Sequence, residues 1–91
     1  MYLLITYDIA DTKKRTKLSD LLEKHGVRVN YSVFELDISA KKLNGLIEEM
    51  RRYTDKQDSL RIYRFNKETI AKSYEILCGS APFEKESGYV D

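Results

Sequence analysis

Hydrophobic residues in this 91-residue chain follow two rhythms. Residues 2–8, "YLLITYD", are a short run of aromatic, leucine and β-branched side chains closed by an acid. That is the pattern of a central strand. Leu18, Leu21, Leu22 and His25 then recur at i, i+3, i+4 and i+7, one apolar helical stripe. The spacing predicts a helix from a cap at Asp11 or Thr12 to about His25, with Gly26 as the C′ residue that ends it.

In "VRVNYSVFELDI", residues 27–38, Val27, Val29, Tyr31 and Val33 alternate with Ser32, Phe34, Leu36 and Ile38. Twelve residues is long for one strand. A bend or bulge is expected near Asn30-Tyr31, with strand 27–30 continuing into strand 32–38. Ser39 then caps a second helix, in which Ala40, Leu43, Leu46, Ile47, Met50 and Tyr53 keep helical spacing. Gly45 weakens it by about 1 kcal/mol relative to Ala. After the polar turn "DKQD", "SLRIYRF" (59–65) reads as a strand and "NKETIAK" as a short helical turn or loop. "SYEILCG" (73–79) reads as another strand. The tail over 79–91 is flexible in isolation or docks on a partner.

This order predicts an α+β, ferredoxin-like β-α-β-β-α-β sandwich with an additional C-terminal strand, occupying residues 1–78 as one domain. Its sheet is antiparallel and both helices lie on one face. A chain this short has nothing left to cover the other face, so a second copy is the natural cover and a homodimer is expected. The extra strand can pair with the partner's sheet edge.

Charge changes this picture little in total and much in detail. Lys plus Arg is 16 and Asp plus Glu is 15, so the net charge of +1 announces no nucleic-acid binder. What matters is where the cations cluster. The single cysteine, Cys78, can form no internal disulfide and lacks zinc-site partners, which suits a reducing, cytoplasmic setting. No apolar run reaches the roughly 20 residues that span a bilayer. The start "MYLLITYD" has no basic region and meets an acid early, unlike a signal peptide.

Two features carry candidate chemistry. Asp8 closes an apolar strand, where a carboxylate is costly unless something compensates it. It is either a turn acid or a functional one. Asp11 is better placed to cap the helix, which leaves Asp8 without an evident structural task. Sites also gather at strand ends. One carboxylate is a poor site for Mg²⁺, which takes one or two carboxylates plus waters and phosphate, so the metal idea requires a dimer with two Asp8 groups. The second feature is the block Lys13, Lys14, Arg15 and Lys17. It is either a solvated helix face or a phosphate grip. Cations in a first turn oppose the helix macrodipole at about 0.3–1 kcal/mol each. Phosphate binding would explain them, because the helix start and the cations both attract anions.

The remaining candidates are weaker. Arg28 lies near Tyr31. Arg51 and Arg52 suit a helix C-terminus. Arg61 and Arg64 can flank an exposed strand edge. Ser32 can hydrogen-bond locally or face a site, and Phe34 belongs to the core or a dimer interface. Tyr7, alternating with Ile5, and His25, on the helix stripe, read as packing residues. Cys78 has no His or acid at a telling spacing and reads as inert. Gly-rich phosphate loops, Cys/His clusters and Ser-His-Asp signatures are absent from the sequence.

"YDIAD" followed by "KKRTK", then "VRVNYSVFELDI" and "DSLRIYRF", in that order and spacing, resembles the CRISPR-associated Cas2 family over about residues 1–78. The resemblance implies the ferredoxin-like fold and a homodimer with C-terminal strands exchanged onto the partner sheet. It implies a role beside the Cas1 integrase, holding double-stranded DNA during spacer acquisition. It also implies Mg²⁺-dependent endonuclease activity on single-stranded RNA or double-stranded DNA. Asp8 corresponds to the proposed metal ligand, and Tyr7, Arg15, Arg28 and Phe34 fall at positions linked to activity. Lys17 stands where some relatives have a second arginine, which keeps the charge and loses the bidentate fork. Three functions therefore compete: a metal-dependent phosphodiesterase, a DNA-holding adaptor, which the cation block favours, and a regulatory dimer binding a small metabolite.

Overall fold

The computed structural model describes residues 1–71. The elements are β1 (Tyr2–Asp8), α1 (Thr12–Glu23), β2 (Gly26–Asn30), β3 (Val33–Asp37), α2 (Ala40–Arg51), β4 (Ser59–Phe65) and a short α3 (Lys67–Ala71). The strands form one sheet in the order β2-β3-β1-β4, with every neighbouring pair antiparallel. This is the ferredoxin-like order, reached by two crossovers through α1 and α2. The expected strand over 73–79, Cys78 and the tail over 79–91 lie outside the described residues.

Alternation along the central strand β1 sorts the two faces of the sheet. Leu3, Ile5 and Tyr7 are buried, whereas Tyr2, Leu4 and Thr6 are only half-buried. On the covered face, Leu3, Ile5, Phe34 and Leu36 form one core with Leu18 and Leu22 of α1 and Leu46 and Met50 of α2. The register places Glu35 and Tyr63 opposite Leu4, and Val33 and Arg61 opposite Thr6, on the other face. No helix among the described residues is long and apolar enough to cross a membrane.

Two local expectations are corrected. Helix α1 ends at Glu23 with Lys24 as its C-cap, so Gly26 is not the C′ residue. It belongs to β2 and pairs with Leu36. A Cβ there would lie 2.2 Å from the Glu35 carbonyl oxygen and 2.8 Å from Leu36 Cγ. Glycine is needed for the close approach of β2 to β3, not to end the helix. The segment 27–38 also does not run on as a bent strand: it folds back through Tyr31 and Ser32 into an antiparallel hairpin. Asn30 Oδ1 accepts the Tyr31 N–H at 2.8 Å, an Asx-type contact that turns the chain. The expected bulge is present as a register shift between Arg28 and Asn30.

Candidate nucleic-acid interface

Strand β1 delivers consecutive residues to opposite faces at its C-terminal end. Tyr7 turns towards the helices and is buried, whereas Asp8 is exposed. The loop that follows leads into α1. Asp11 is the N-cap and its Oδ2 accepts the Lys14 N–H at 2.8 Å. Thr12, the alternative cap, instead accepts from Arg15 Nη2 at 3.2 Å. Arg15 Nη1 donates to the Ile9 carbonyl at 2.8 Å. The Arg15 guanidinium thus folds back onto the residue after Asp8 and fixes the loop between strand and helix.

A second arginine organises the hairpin. Arg28 Nη1 donates to the Tyr31 carbonyl at 3.0 Å and Nη2 to Glu23 Oε1 at 3.1 Å. Its guanidinium carbon lies 5.2 Å from the Phe34 ring centroid, within cation–π range. Phe34 in turn stacks on Tyr7, with centroids 6.3 Å apart and planes at 22°. The Tyr7 hydroxyl donates to the same Tyr31 carbonyl at 3.3 Å. Burial pushes the Tyr7 hydroxyl pKa above its ordinary value of 10.0, a shift partly opposed by the Arg28 charge. An ion pair, an aromatic stack and two hydrogen bonds therefore converge on the hairpin turn.

Between α1 and this turn lies a cleft of about 380 Å³, with Tyr7, Asp8, Arg15, Arg28 and Tyr31 in its lining. The structure thus brings together four residues singled out from the sequence: Tyr7, Asp8, Arg15 and Arg28. Phe34 is fully buried and reaches the cleft only through Tyr7 and Arg28. The cation block divides. Lys13 and Lys17 are exposed, four residues apart on one helical strip, with no ion pair among the described residues. Lys14 is half-exposed and pairs with Asp55 at 2.5 Å, and that hydrogen bond raises its pKa.

Asp55 and Asp58 had been legible only as a polar turn. Asp58 Oδ1 accepts the Ala10 N–H at 3.1 Å and Oδ2 accepts the Asp55 N–H at 2.8 Å. They pin the α2–β4 loop against the loop that carries Asp8 into α1. The recoverable signal was two acids three residues apart in a turn, each able to bond a backbone N–H. Glu23, the partner of Arg28, carried no signal of its own.

The metal question turns on donors. Among the described residues no group of three His, Cys, Asp or Glu side chains could hold a metal ion. Asp11 and Asp58 already accept backbone N–H groups. Asp8 is exposed, and its carboxylate has no hydrogen bond or ion pair among the described residues. Among the described residues the cleft lining therefore offers one open carboxylate, Asp8, and a Mg²⁺ site there fits only if a second copy adds another.

Known proteins resemble this chain in sequence and in fold. A family model described as CRISPR associated protein Cas2 matches residues 1–73. A Synechocystis protein named CRISPR-associated endoribonuclease Cas2 3 is 41% identical over 88 residues, covering 96% of this chain and 94% of the relative. A Thermus thermophilus protein named CRISPR-associated endonuclease Cas2 2 is 45% identical over 74 residues, covering 80% and 77%. A chain from the solved structure of a partial Cas6-RT-Cas1–Cas2 complex superposes with a TM-score of 0.71 at 36% identity, covering 82% of this chain and 83% of that one.

Proposed function

The chain belongs to the CRISPR-associated Cas2 family, and from that premise we propose that it is a DNA-holding homodimer that works with a Cas1 integrase in spacer acquisition. The observation that carries this reading is an imbalance at the cleft end of the sheet. Lys13 and Lys17 stand on α1 with no ion pair among the described residues, and Arg15 and the Glu23-paired Arg28 line the cleft. Among the described residues Asp8 is the one acid in the cleft lining. Such a surface attracts phosphates without reading sequence. On the open face Leu4 and Val33 are half-buried and Tyr63 is exposed, among Thr6, Glu35 and Arg61, and cover for these apolar side chains supports the dimer. The complex with Cas1 that contains a similar chain supports the choice of partner.

A second reading, metal-dependent phosphodiester cleavage, is favoured by Asp8 itself, an acid with no structural partner at the mouth of a cationic cleft. Mg²⁺ bound there would supply an activated water and offset charge on the phosphorus. This chain's part would be to present the Asp8 carboxylate and to keep it in place through the Arg15–Ile9 bond. The test uses Asp8→Ala in the full-length protein, reconstituted with a Cas1 integrase. Duplex affinity and spacer integration are expected to persist, while any Mg²⁺-dependent cleavage of RNA or DNA disappears. Wild type that binds no duplex would overturn the DNA-holding assignment, and loss of duplex binding in the variant alone would place Asp8 in the DNA grip. Unchanged cleavage would remove Asp8 as the metal ligand.

A further inference from the structure

Tyr31 stands at the tip of the β2–β3 turn with 87% of its surface exposed. A single exposed aromatic needs no explanation on its own. Here the backbone beneath the ring is fixed from both sides. The Tyr31 N–H donates to Asn30 Oδ1 at 2.8 Å, and its carbonyl accepts from Arg28 Nη1 at 3.0 Å and from the Tyr7 hydroxyl at 3.3 Å. The ring is thus presented to water from a rigid base, beside a cleft that also holds Arg15 and Arg28. The cleft volume of about 380 Å³ falls at the low end of the roughly 300–1,000 Å³ typical of small-ligand sites.

We propose that the Tyr31 ring is a stacking platform for an unpaired nucleobase, so that this end of the molecule takes a single-stranded segment in addition to duplex. The proposal rests on the nucleic-acid-holding reading above and adds to it the residue that would contact an unpaired base. Every base has a π-face, so stacking accepts any sequence. Fixing the backbone in advance lowers the ordering cost of binding. The neighbouring phosphate has a counter-charge at hand in Arg28. Its pair with Glu23 leaves 36% of the arginine and 53% of the glutamate side chain exposed, and exposed pairs of that kind are weak enough to yield or to share.

The experiment titrates the full-length protein with a short single strand carrying 2-aminopurine and with a blunt duplex of the same sequence. Wild type is expected to bind both and to quench the 2-aminopurine fluorescence. Tyr31→Ala is expected to weaken single-strand binding by about 5- to 150-fold and to abolish the quench, the range given by loss of one base–aromatic stack. Its duplex affinity should fall far less than its single-strand affinity, and Tyr31→Trp should restore the strand. Equal single-strand affinity in Tyr31→Ala overturns the platform, as does wild type that binds duplex alone. A changed sedimentation coefficient with unchanged strand affinity would instead assign the ring to a protein contact. Wild type that binds neither nucleic acid would overturn the DNA-holding reading as well.

Discussion

Helices α1 and α2 start at opposite ends of the sheet with nearly interchangeable first turns. Each has 12 residues. Each is capped by a side-chain oxygen that accepts the N–H three residues on: Asp11 from Lys14 at 2.8 Å, and Ser39 from Lys42 at 3.2 Å. Each places two lysines in the first turn and no acid. Opposition to the helix dipole therefore does not by itself mark a functional start, because this fold tolerates it twice. The difference lies in the surroundings. Beside the α1 start, Arg15 bonds the Ile9 carbonyl, Lys14 pairs with Asp55, and Arg28 and Tyr7 close on the hairpin turn. Lys41 and Lys42 are exposed, with no ion pair among the described residues, and α2 contributes nothing to the cleft. The same charge pattern is a solvated helix start at one end and the edge of a hydrogen-bonded cleft lined by Arg15 and Arg28 at the other.

The largest expected effect comes from removing the support that only the cleft end has. Phe34 is fully buried and carries both the Arg28 guanidinium and the Tyr7 ring. Phe34→Ala is expected to cost about 3–5 kcal/mol in urea unfolding. Phe34→Leu should recover most of that while leaving the hairpin amides at 29–32 faster in hydrogen exchange. Equal exchange in wild type and Phe34→Leu would mean that the aromatic stack does not hold the turn.

The caps sharpen the contrast on a smaller scale. Loss of either cap should cost about 1 kcal/mol. Asp11→Ala should cost more than Ser39→Ala, because the carboxylate also offsets Lys13, Lys14 and Arg15, and Asp11→Asn should fall between them. Thermal melts at low and high salt check this. The excess at Asp11 should shrink with salt, and an excess that salt does not touch would deny its electrostatic origin.

The smallest effect is one of pH. Burial raises the Tyr7 hydroxyl above its ordinary pKa of 10.0, so the native state favours the protonated form. That contribution is complete below pH 10 and is lost as pH rises through the folded-state value. Tyr7→Phe forfeits the bond to the Tyr31 carbonyl, at about 0.5–1.5 kcal/mol near neutrality. It should also escape the alkaline loss, so the stability gap between the two proteins is expected to narrow above pH 10. A constant gap from pH 7 to 11 would contradict the protonated, buried hydroxyl.

The main elements were legible in the sequence because periods of 2 and 3.6 record which side of each element meets the core. Leu3, Ile5 and Tyr7, and Leu18, Leu21 and Leu22, all lie where their spacing put them. Gly26 was misread because a helix-ending glycine and a close-approach glycine look alike in sequence. Only the Glu35 carbonyl at 2.2 Å from a notional Cβ separates them. Lys14 differs from Lys13 and Lys17 only through Asp55, 41 residues away, which no local pattern records. The convergence of Tyr7, Arg15, Arg28 and Asp8 was nameable through family resemblance alone, since the crossovers and the hairpin turn, not their spacing, bring them to one cleft.

The most direct test of the contrast between the two helix starts is the salt dependence of duplex-DNA affinity. It compares wild type, Lys13→Glu/Lys17→Glu and Lys41→Glu/Lys42→Glu. Each phosphate contact contributes about 0.9 to the slope of log affinity against log salt. With two cations lost per chain in a homodimer, the α1 variant is expected to flatten the slope by about 2–4, while the α2 variant keeps the wild-type slope. Equal slopes in all three proteins, or a larger loss in the α2 variant, would contradict a phosphate grip at the start of α1.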